Sequence, residues 1–373
     1  MSIYSELNIR PVVNASATLT VLGGSLMPKR VLEAMQGAAA NFVDMHEYHV
    51  AAGQRLAELT NNEAAYVTAG CAAALSISTL ACITRGDPAL IARMPAGDGL
   101  PTQVIMHRSQ RMPYDPALRL VGAQIVEIGN ILQTFEWELE SAIGPETAAV
   151  LYVAGAPYAR GALALETVIE IAHQRDVPVI VDAAAQLPPA SNLWHFSHDL
   201  GAELVLFSGG KGLHGPQASG LIVGQSDLIE ACSMNGAPHQ RLVRAMKVGK
   251  EEIAGLLKAV ELYVAADHAA DQKQFEAVCA RWVTELSQLP GVIAVRDWPN
   301  EAGQPTPRVL VRLEPNLGVT ASELVGELWE GNPRIAVAPF DATGFHITPD
   351  TLAPGEDRIV SERIAGVLTE MQR

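Results

Sequence analysis

The chain reads as an α/β protein, a mostly parallel, doubly wound sheet followed by a smaller α+β domain, and three observations predict it. Short apolar runs at TQVIMH (102–107), AQIVEIG (123–129), AAVLYVAG (148–155), VPVIVD (177–182) and ELVLFS (203–208) have the length and β-branched content of strands buried on both faces. Segments of helical periodicity, such as LETVIEIAHQR (165–175), lie between several of them. From about Leu289 the texture changes to GVIAVRDW, PRVLVRL and RIAVAP, short strands around helices, closing on the helical EDRIVSERIAGVLTEM.

Taken in order, residues 1–50 read as an N-terminal arm. NIRPVVNASATLTVLGGSLMP carries glycine and proline punctuation, and PKRVLEAMQGAAANFVDMHEY begins a helical pattern. Residues 51–260 read as the large domain. A helix over 53–60 leads to the strand AAYVT and then to CAAALSISTLACI, whose small and apolar residues describe a buried helix. SGLIVG (219–224) follows ELVLFS too closely for a crossover helix, so it pairs antiparallel. Residues 245–285 read as long helices, with VGKEEIAGLLKAVELYVAAD bridging the domains, and 261–373 as the small domain.

The bulk numbers narrow the function. A chain of 373 residues, 49% hydrophobic and 18% charged, buries a core large enough to enclose a site. Its 41 acidic against 26 basic residues leave a net charge of −15, which opposes binding to nucleic acid and to anionic membranes. No segment reaches the ~18 apolar residues of a membrane span, and the N-terminus lacks the pattern of a secretory signal. The four cysteines show no CxxC spacing and read as reduced thiols of a cytoplasmic protein. His46 and His49 in HEYH read as a pair on a helix surface, and no metal site is expected.

The chemistry concentrates at two strand ends. Asp182 closes VPVIVD, and Lys211 lies in ELVLFSGGKGLHGPQASG (203–220). An amine to hold an aldehyde as a Schiff base and a carboxylate to keep a pyridine nitrogen protonated are what pyridoxal phosphate requires. Both sit where open α/β sheets gather ligands, outside the carboxyl ends of the strands. The turn Ala69, Gly70, Cys71 opens the buried helix with backbone N–H groups free for a phosphate, and Ser208 adds a hydroxyl. His107, ending TQVIMH, is placed to stack on a planar ring, and Ala184 leaves room on the ring's other side. Gly209, Gly210 and Gly212 allow the chain to wrap closely around a ring, and SGG permits positive φ that other residues resist. An amino acid carboxylate needs an arginine; Arg160 is favoured, then Arg334, with Arg308 a further candidate.

These runs, with VVNASATLTVLGGSLMP, FVDMHEY and MKVGKEEIAGLL, resemble the selenocysteine synthase-like branch of fold type I pyridoxal phosphate enzymes, a branch that includes proteins similar to D-glucosaminate-6-phosphate ammonia-lyase. SGGKGLHGPQASG is the most specific part of the likeness. The resemblance implies a fold type I PLP-dependent transferase-like fold, the Schiff base on Lys211 and ring-nitrogen contact at Asp182. It also implies ring stacking at His107, and a homodimer or higher even oligomer in which Lys247 and Lys250 reach a neighbour's cofactor. Gln186 comes four residues after Asp182 where related desulfurases have glutamine at three. Selenocysteine synthase has an extra N-terminal domain and binds tRNA, and this shorter acidic chain shows neither.

The activity expected is attack at Cα of an amino acid or amino sugar acid, by α,β-elimination with release of ammonia. A racemase shares the first steps and needs a second acid, for which His214, Tyr114 and Cys71 are candidates. A catalytically idle cofactor-binding protein is the rival from another class.

Overall fold

The computed structural model describes residues 3–372. Its strands, in chain order, are β1 (Val12–Ala15), β2 (Ala64–Thr68), β3 (Gln103–His107), β4 (Gln124–Ile128), β5 (Thr147–Val153), β6 (Val179–Asp182), β7 (Leu204–Ser208), β8 (Gly220–Gly224), β9 (Val292–Asp297), β10 (Arg308–Leu313), β11 (Arg334–Asp341) and β12 (Gly344–Ile347). Seven form one sheet in the order β2-β8-β7-β6-β5-β3-β4, and five form a second in the order β1-β11-β12-β10-β9.

The large sheet is parallel from β4 through β3, β5 and β6 to β7. β8 then turns back antiparallel on β7, as its short connection requires, and β2 pairs antiparallel with β8 at the edge. Strands β5, β6 and β7 step away from β3 on one side while β4 lies on the other. The carboxyl ends of β3 and β5 therefore flank a topological switch point, where such sheets open a crevice.

Alternation along the strands divides the core into two layers. Val67, Ile105, Val150, Val181, Val205 and Phe207 face one way, onto Leu56, Val168 and Leu256. Tyr66, Met106, Leu151, Ile180, Leu206 and Ile222 face the other, onto Leu75, Leu80 and Cys232. The helix Cys71–Thr84 is buried along nearly all its length. Its hydroxyls are tolerated because Thr79 and Thr84 donate to the carbonyls of Leu75 and Leu80, both at 2.7 Å.

Residues 26–266 form one compact unit, and the segment up to Ser25 joins the chain from Asp267 onward in the other. The arm expected over 1–50 thus divides. β1 pairs in parallel with β11 of the smaller unit, whereas the helix Lys29–Ala39 packs on the helix Lys250–Val264 within the larger. That second helix, expected to bridge two domains, lies wholly in the larger unit. The boundary follows it at Asp267, whose side chain accepts from Ala270 N–H at 3.0 Å to start the next helix.

The smaller unit is α+β, as its texture predicts. Burial alternates along β10, and the fully buried Trp282 donates from Nε1 to Asp357 O at 2.7 Å. β1 and β12 are four residues each. Neither has the length to stand out as a sequence pattern, and both owe their form to the strands beside them.

Candidate active site

Asp182 ends β6 between β5 and β7 and is 6% exposed. Its Oδ1 accepts from Ala184 N–H at 3.0 Å, and the Cys71 thiol lies 3.9 Å from the same oxygen. Lys211 acts on it electrostatically. Burial raises the carboxyl's pKa, outweighing the lowering by the Ala184 amide, Lys211 and Cys71. The cationic charge near this carboxylate does not offset its burial, and a protonated pyridine nitrogen is a group that would supply more. The ladder continues past the strand end: Ala183 N–H donates to Leu206 O at 3.0 Å and Ser208 N–H to Ala184 O at 3.4 Å. Asp182, Ala184 and Ser208 are therefore held together by backbone.

Lys211, half-buried, sits in a turn closed by His214 N–H donating to Lys211 O at 2.9 Å and Gly215 N–H to Gly209 O at 2.8 Å. The glycines serve this turn otherwise than the sequence suggests. Gly209, Gly210 and Gly212 are not among the residues at positive φ, and it is His214 that adopts φ +53°. What they provide is space, since a Cβ on Gly212 would stand 2.2 Å from Leu187 O and one on Gly209 2.0 Å from Ser219 Oγ.

The turn before the buried helix also meets this site. Gly70 takes φ +103°, ψ 163°, a region open to glycine alone, and Thr68 Oγ1 donates to Gly70 O at 2.9 Å. No atom lies within 4 Å of where a Gly70 Cβ would be, so the turn borders open space. β2 is an antiparallel edge strand, three places from β6. The turn nevertheless reaches the parallel strand ends, as the Cys71–Asp182 contact records. Gly70→Ala is expected to cost about 1–3 kcal/mol, measurable by urea unfolding, and to weaken cofactor binding.

His107 is fully buried at the end of β3. Its Nε2 accepts from Leu163 N–H at 3.2 Å, and its ring meets Tyr152 edge-on with centroids 5.9 Å apart. Burial pushes its pKa down to about 4, so it is uncharged at neutral pH.

The arginine candidates separate clearly. Arg160 is exposed, just beyond the short helix Ala156–Ala159 that follows β5, and forms no ion pair among the described residues. Arg334, in the smaller unit, has its guanidinium 4.5 Å over the Trp329 ring, its Nε on Trp329 O at 2.8 Å and Glu330 at 3.5 Å. Arg308 is held by Asp297 at 2.8 Å and Glu301 at 3.2 Å. Of the proposed auxiliary groups, Tyr114 and Lys247 are exposed and Lys250 pairs with Glu251. His49 departs from the expected helix surface. It is buried and stacked on Tyr66 at 5.0 Å, while His46 meets His239 edge-on.

The solved structure of D-glucosaminate-6-phosphate ammonia-lyase superimposes with a TM-score of 0.88 at 32% identity, covering 99% of each chain. A NifS-like protein superimposes with a TM-score of 0.59 at 17% identity, covering 96% of this chain and 99% of that one. The architecture is that of fold type I pyridoxal phosphate-dependent enzymes. The model of the SelA family, L-seryl-tRNA selenium transferase, matches residues 12–285, and the chain belongs to this family.

Within it, D-glucosaminate-6-phosphate ammonia lyase of Salmonella typhimurium is 33% identical over 97% of this chain and 97% of its own length. A 5'-C-glycyluridine monooxygenase-decarboxylase of a Streptomyces species is 34% identical over 98% of this chain and 92% of its own length. The L-seryl-tRNA(Sec) selenium transferase of Alkaliphilus metalliredigens is 28% identical over 71% of this chain but only 58% of its own length.

Proposed function

We propose that the chain is a pyridoxal phosphate-dependent ammonia-lyase acting on a phosphorylated amino sugar acid of the D-glucosaminate-6-phosphate kind. What carries the reading is a buried carboxylate beside a lysine, Asp182 and Lys211, in a chain that aligns end to end with such a lyase. Pyridoxal phosphate, when bound, supplies a protonated ring that draws electrons from a substrate amine joined to its aldehyde carbon.

Asp182 holds the proton on the ring nitrogen. The N–H groups of the Ala69–Cys71 turn and the Ser208 hydroxyl would bind the phosphate, and Ala184 would leave room beside the ring; uncharged His107, buried against Tyr152 and Leu163, would stack on it only once uncovered. Lys211 Nζ would hold the cofactor through its aldehyde and, once free of it, would be the base placed to take the proton from Cα and to give one to the departing β-hydroxyl. Loss of water and hydrolysis of the C–N bond would give ammonia and a 2-oxo acid.

A racemase would share the first proton transfer, but no observation favours it. Turnover of D-glucosaminate 6-phosphate in deuterated water decides among these readings. Ammonia and a 2-oxo acid in equal amounts, without oxygen uptake, support the lyase. Oxygen consumption with release of CO2 would replace it with an oxidative decarboxylase, and deuterium at Cα with inversion would replace it with a racemase. Cofactor bound but no change in any amino acid offered would leave an idle binding protein.

Arg160 is the substrate-carboxylate residue in this proposal, ahead of Arg334, because its guanidinium has no ion-pair partner among the described residues. Arg160→Gln is then expected to raise KM about 10–100-fold with kcat little changed, the loss of a charge-assisted hydrogen bond worth roughly 1.5–3 kcal/mol. Steady-state kinetics with wild-type and variant enzyme check it.

A cytoplasmic homodimer, in which Lys247 and Lys250 serve the neighbouring site, completes the reading. Among the described residues no helix is long and apolar enough to cross a membrane. Phe42 is entirely exposed, with Leu26, Leu32, Val43 and Val50 also open to solvent. Together these give residues 26–50 an apolar surface suited to a second copy. Light scattering on the wild type should give twice the chain mass, and Phe42→Asp should lower it.

A further inference from the structure

Gln110 is fully buried and neutral, three residues after His107, and its carboxamide makes three hydrogen bonds to the end of β5 and the turn that follows it. The recorded β3–β5 pairing ends with Met106 opposite Leu151, after which the chain leaves β3 through the turn Arg108–Gln110. Val153 would then have no partner on that side. Gln110 supplies one: Val153 N–H donates to Oε1 at 3.0 Å, and Nε2 donates to Val153 O at 3.3 Å. The side-chain amide acts as a substitute peptide group and extends the ladder past the end of β3. On its other side Val153 is the register partner of Asp182, and Ala154 N–H donates to Asp182 O at 2.9 Å.

The same Nε2 donates to Tyr158 O at 3.4 Å, in the turn just before Arg160. Beyond Arg160 the chain is caught again, by Leu163 N–H on His107 Nε2 at 3.2 Å and by Tyr152 Oη donating to Leu163 O at 3.3 Å. Residues 153–163 are thus tied down at Val153, Tyr158, Gly161, whose O accepts from Thr134 Oγ1 at 2.7 Å, and Leu163, with exposed Arg160 between Tyr158 and Gly161. Gln110 makes the first two of these ties.

We propose that Gln110 is a positioning residue for substrate recognition, which holds the Arg160 segment in register with the Asp182 strand end and so places the arginine for the substrate's carboxylate. The inference rests on the lyase reading for its kinetic consequence, but not for its structural one. Its logic is that of a buried amide whose loss leaves Val153 N–H, Val153 O and Tyr158 O unsatisfied together.

Two variants test it. Gln110→Leu keeps the volume and removes all three bonds. Gln110→Glu is isosteric, covers the case in which the leucine variant does not fold, and regains one donor when its carboxyl is protonated. Two readouts apply, hydrogen exchange of the amides in 154–163 and the split between KM and kcat. We expect exchange in that segment to rise about tenfold in both variants. KM should rise about tenfold, with kcat and cofactor affinity within about twofold of wild type. In Gln110→Glu, but not Gln110→Leu, lowering the pH should draw both effects back towards wild type.

Unchanged exchange in 154–163 would overturn the proposal. So would faster exchange with unchanged KM, or a fall in cofactor affinity that tracks the rise in KM. A wild-type enzyme inert toward every amino acid offered would sink the lyase reading instead, leaving the exchange data to judge the clamp.

Discussion

Lys211→Ala is expected to abolish the visible absorption of the lysine-bound cofactor and to lower turnover by about 10⁴-fold or more, the upper end of what a positioned general base contributes. Two losses should coincide, because in the proposed function the same Nζ both attaches the cofactor and moves the Cα proton. The turn that carries it is built by its neighbours' backbone, His214 onto Lys211 O and Gly215 onto Gly209 O, so truncating the side chain leaves the fold intact. Absorption spectra, single-turnover ammonia release and a circular dichroism spectrum matching the wild type check all three parts. Borohydride trapping followed by peptide mapping gives the converse result, a pyridoxyl group on the peptide containing Lys211. Recovery on a peptide containing Lys247 or Lys250 would move the attachment.

Asp182→Asn tests the other half of the pair, and its two consequences run in opposite directions. With cofactor bound, the amide cannot hold the ring proton, and turnover should fall about 10²–10³-fold, the range for removal of one preorganised electrostatic partner. Without cofactor, the substitution should not destabilise the protein at neutral pH. Burial raises the Asp182 pKa in the folded state. An acid that is harder to ionise when folded costs native stability as pH rises from its unfolded value, about 3.9, through the raised native one, and the cost is complete above both. The carboxamide of the variant has no proton to lose in that range. The cofactor-free variant should therefore melt no lower than the cofactor-free wild type at pH 7, and the two curves should converge as pH falls below the carboxylate range. A cofactor-free variant that is less stable at pH 7 would mean that Asp182 is held mainly by its neighbours' hydrogen bonds rather than poised for a cation.

Much of the candidate site is legible in the sequence because its proposed parts lie at strand ends. Asp182, His107 and Ser208 each close an apolar run, and the helix after Gly70 is made of small and apolar residues. What escapes is contact across the sequence. Nothing in TAGCAAAL signals that Cys71 meets Asp182, since β2 has to be brought round antiparallel to the far edge first. Gln110 gives no signal either, as a lone glutamine after a strand has no pattern, and its role arises only where β3 ends before β5. The glycines flanking Lys211 suggest positive φ by their type, whereas it is their lack of a Cβ that makes room for Leu187 O and the Ser219 hydroxyl. The N-terminal fifty residues read as one arm because their punctuation hides β1, a four-residue strand that exists only through its pairing with β11.

Burial periodicity and strand-end chemistry are local properties of a chain, and they suffice to specify the layered α/β class, the segments that supply the parallel strands and the residue types of the site. Which of those residues meet is a matter of three-dimensional pairing. Hydrogen bonds between strands distant in sequence bring the Cys71 turn to Asp182, divide the N-terminal segment between two units and set Gln110 against Val153. Packing likewise engages Arg334 and Arg308 while leaving Arg160 exposed. Such contacts depend on where three or four segments end in space, a quantity that no single stretch of sequence carries.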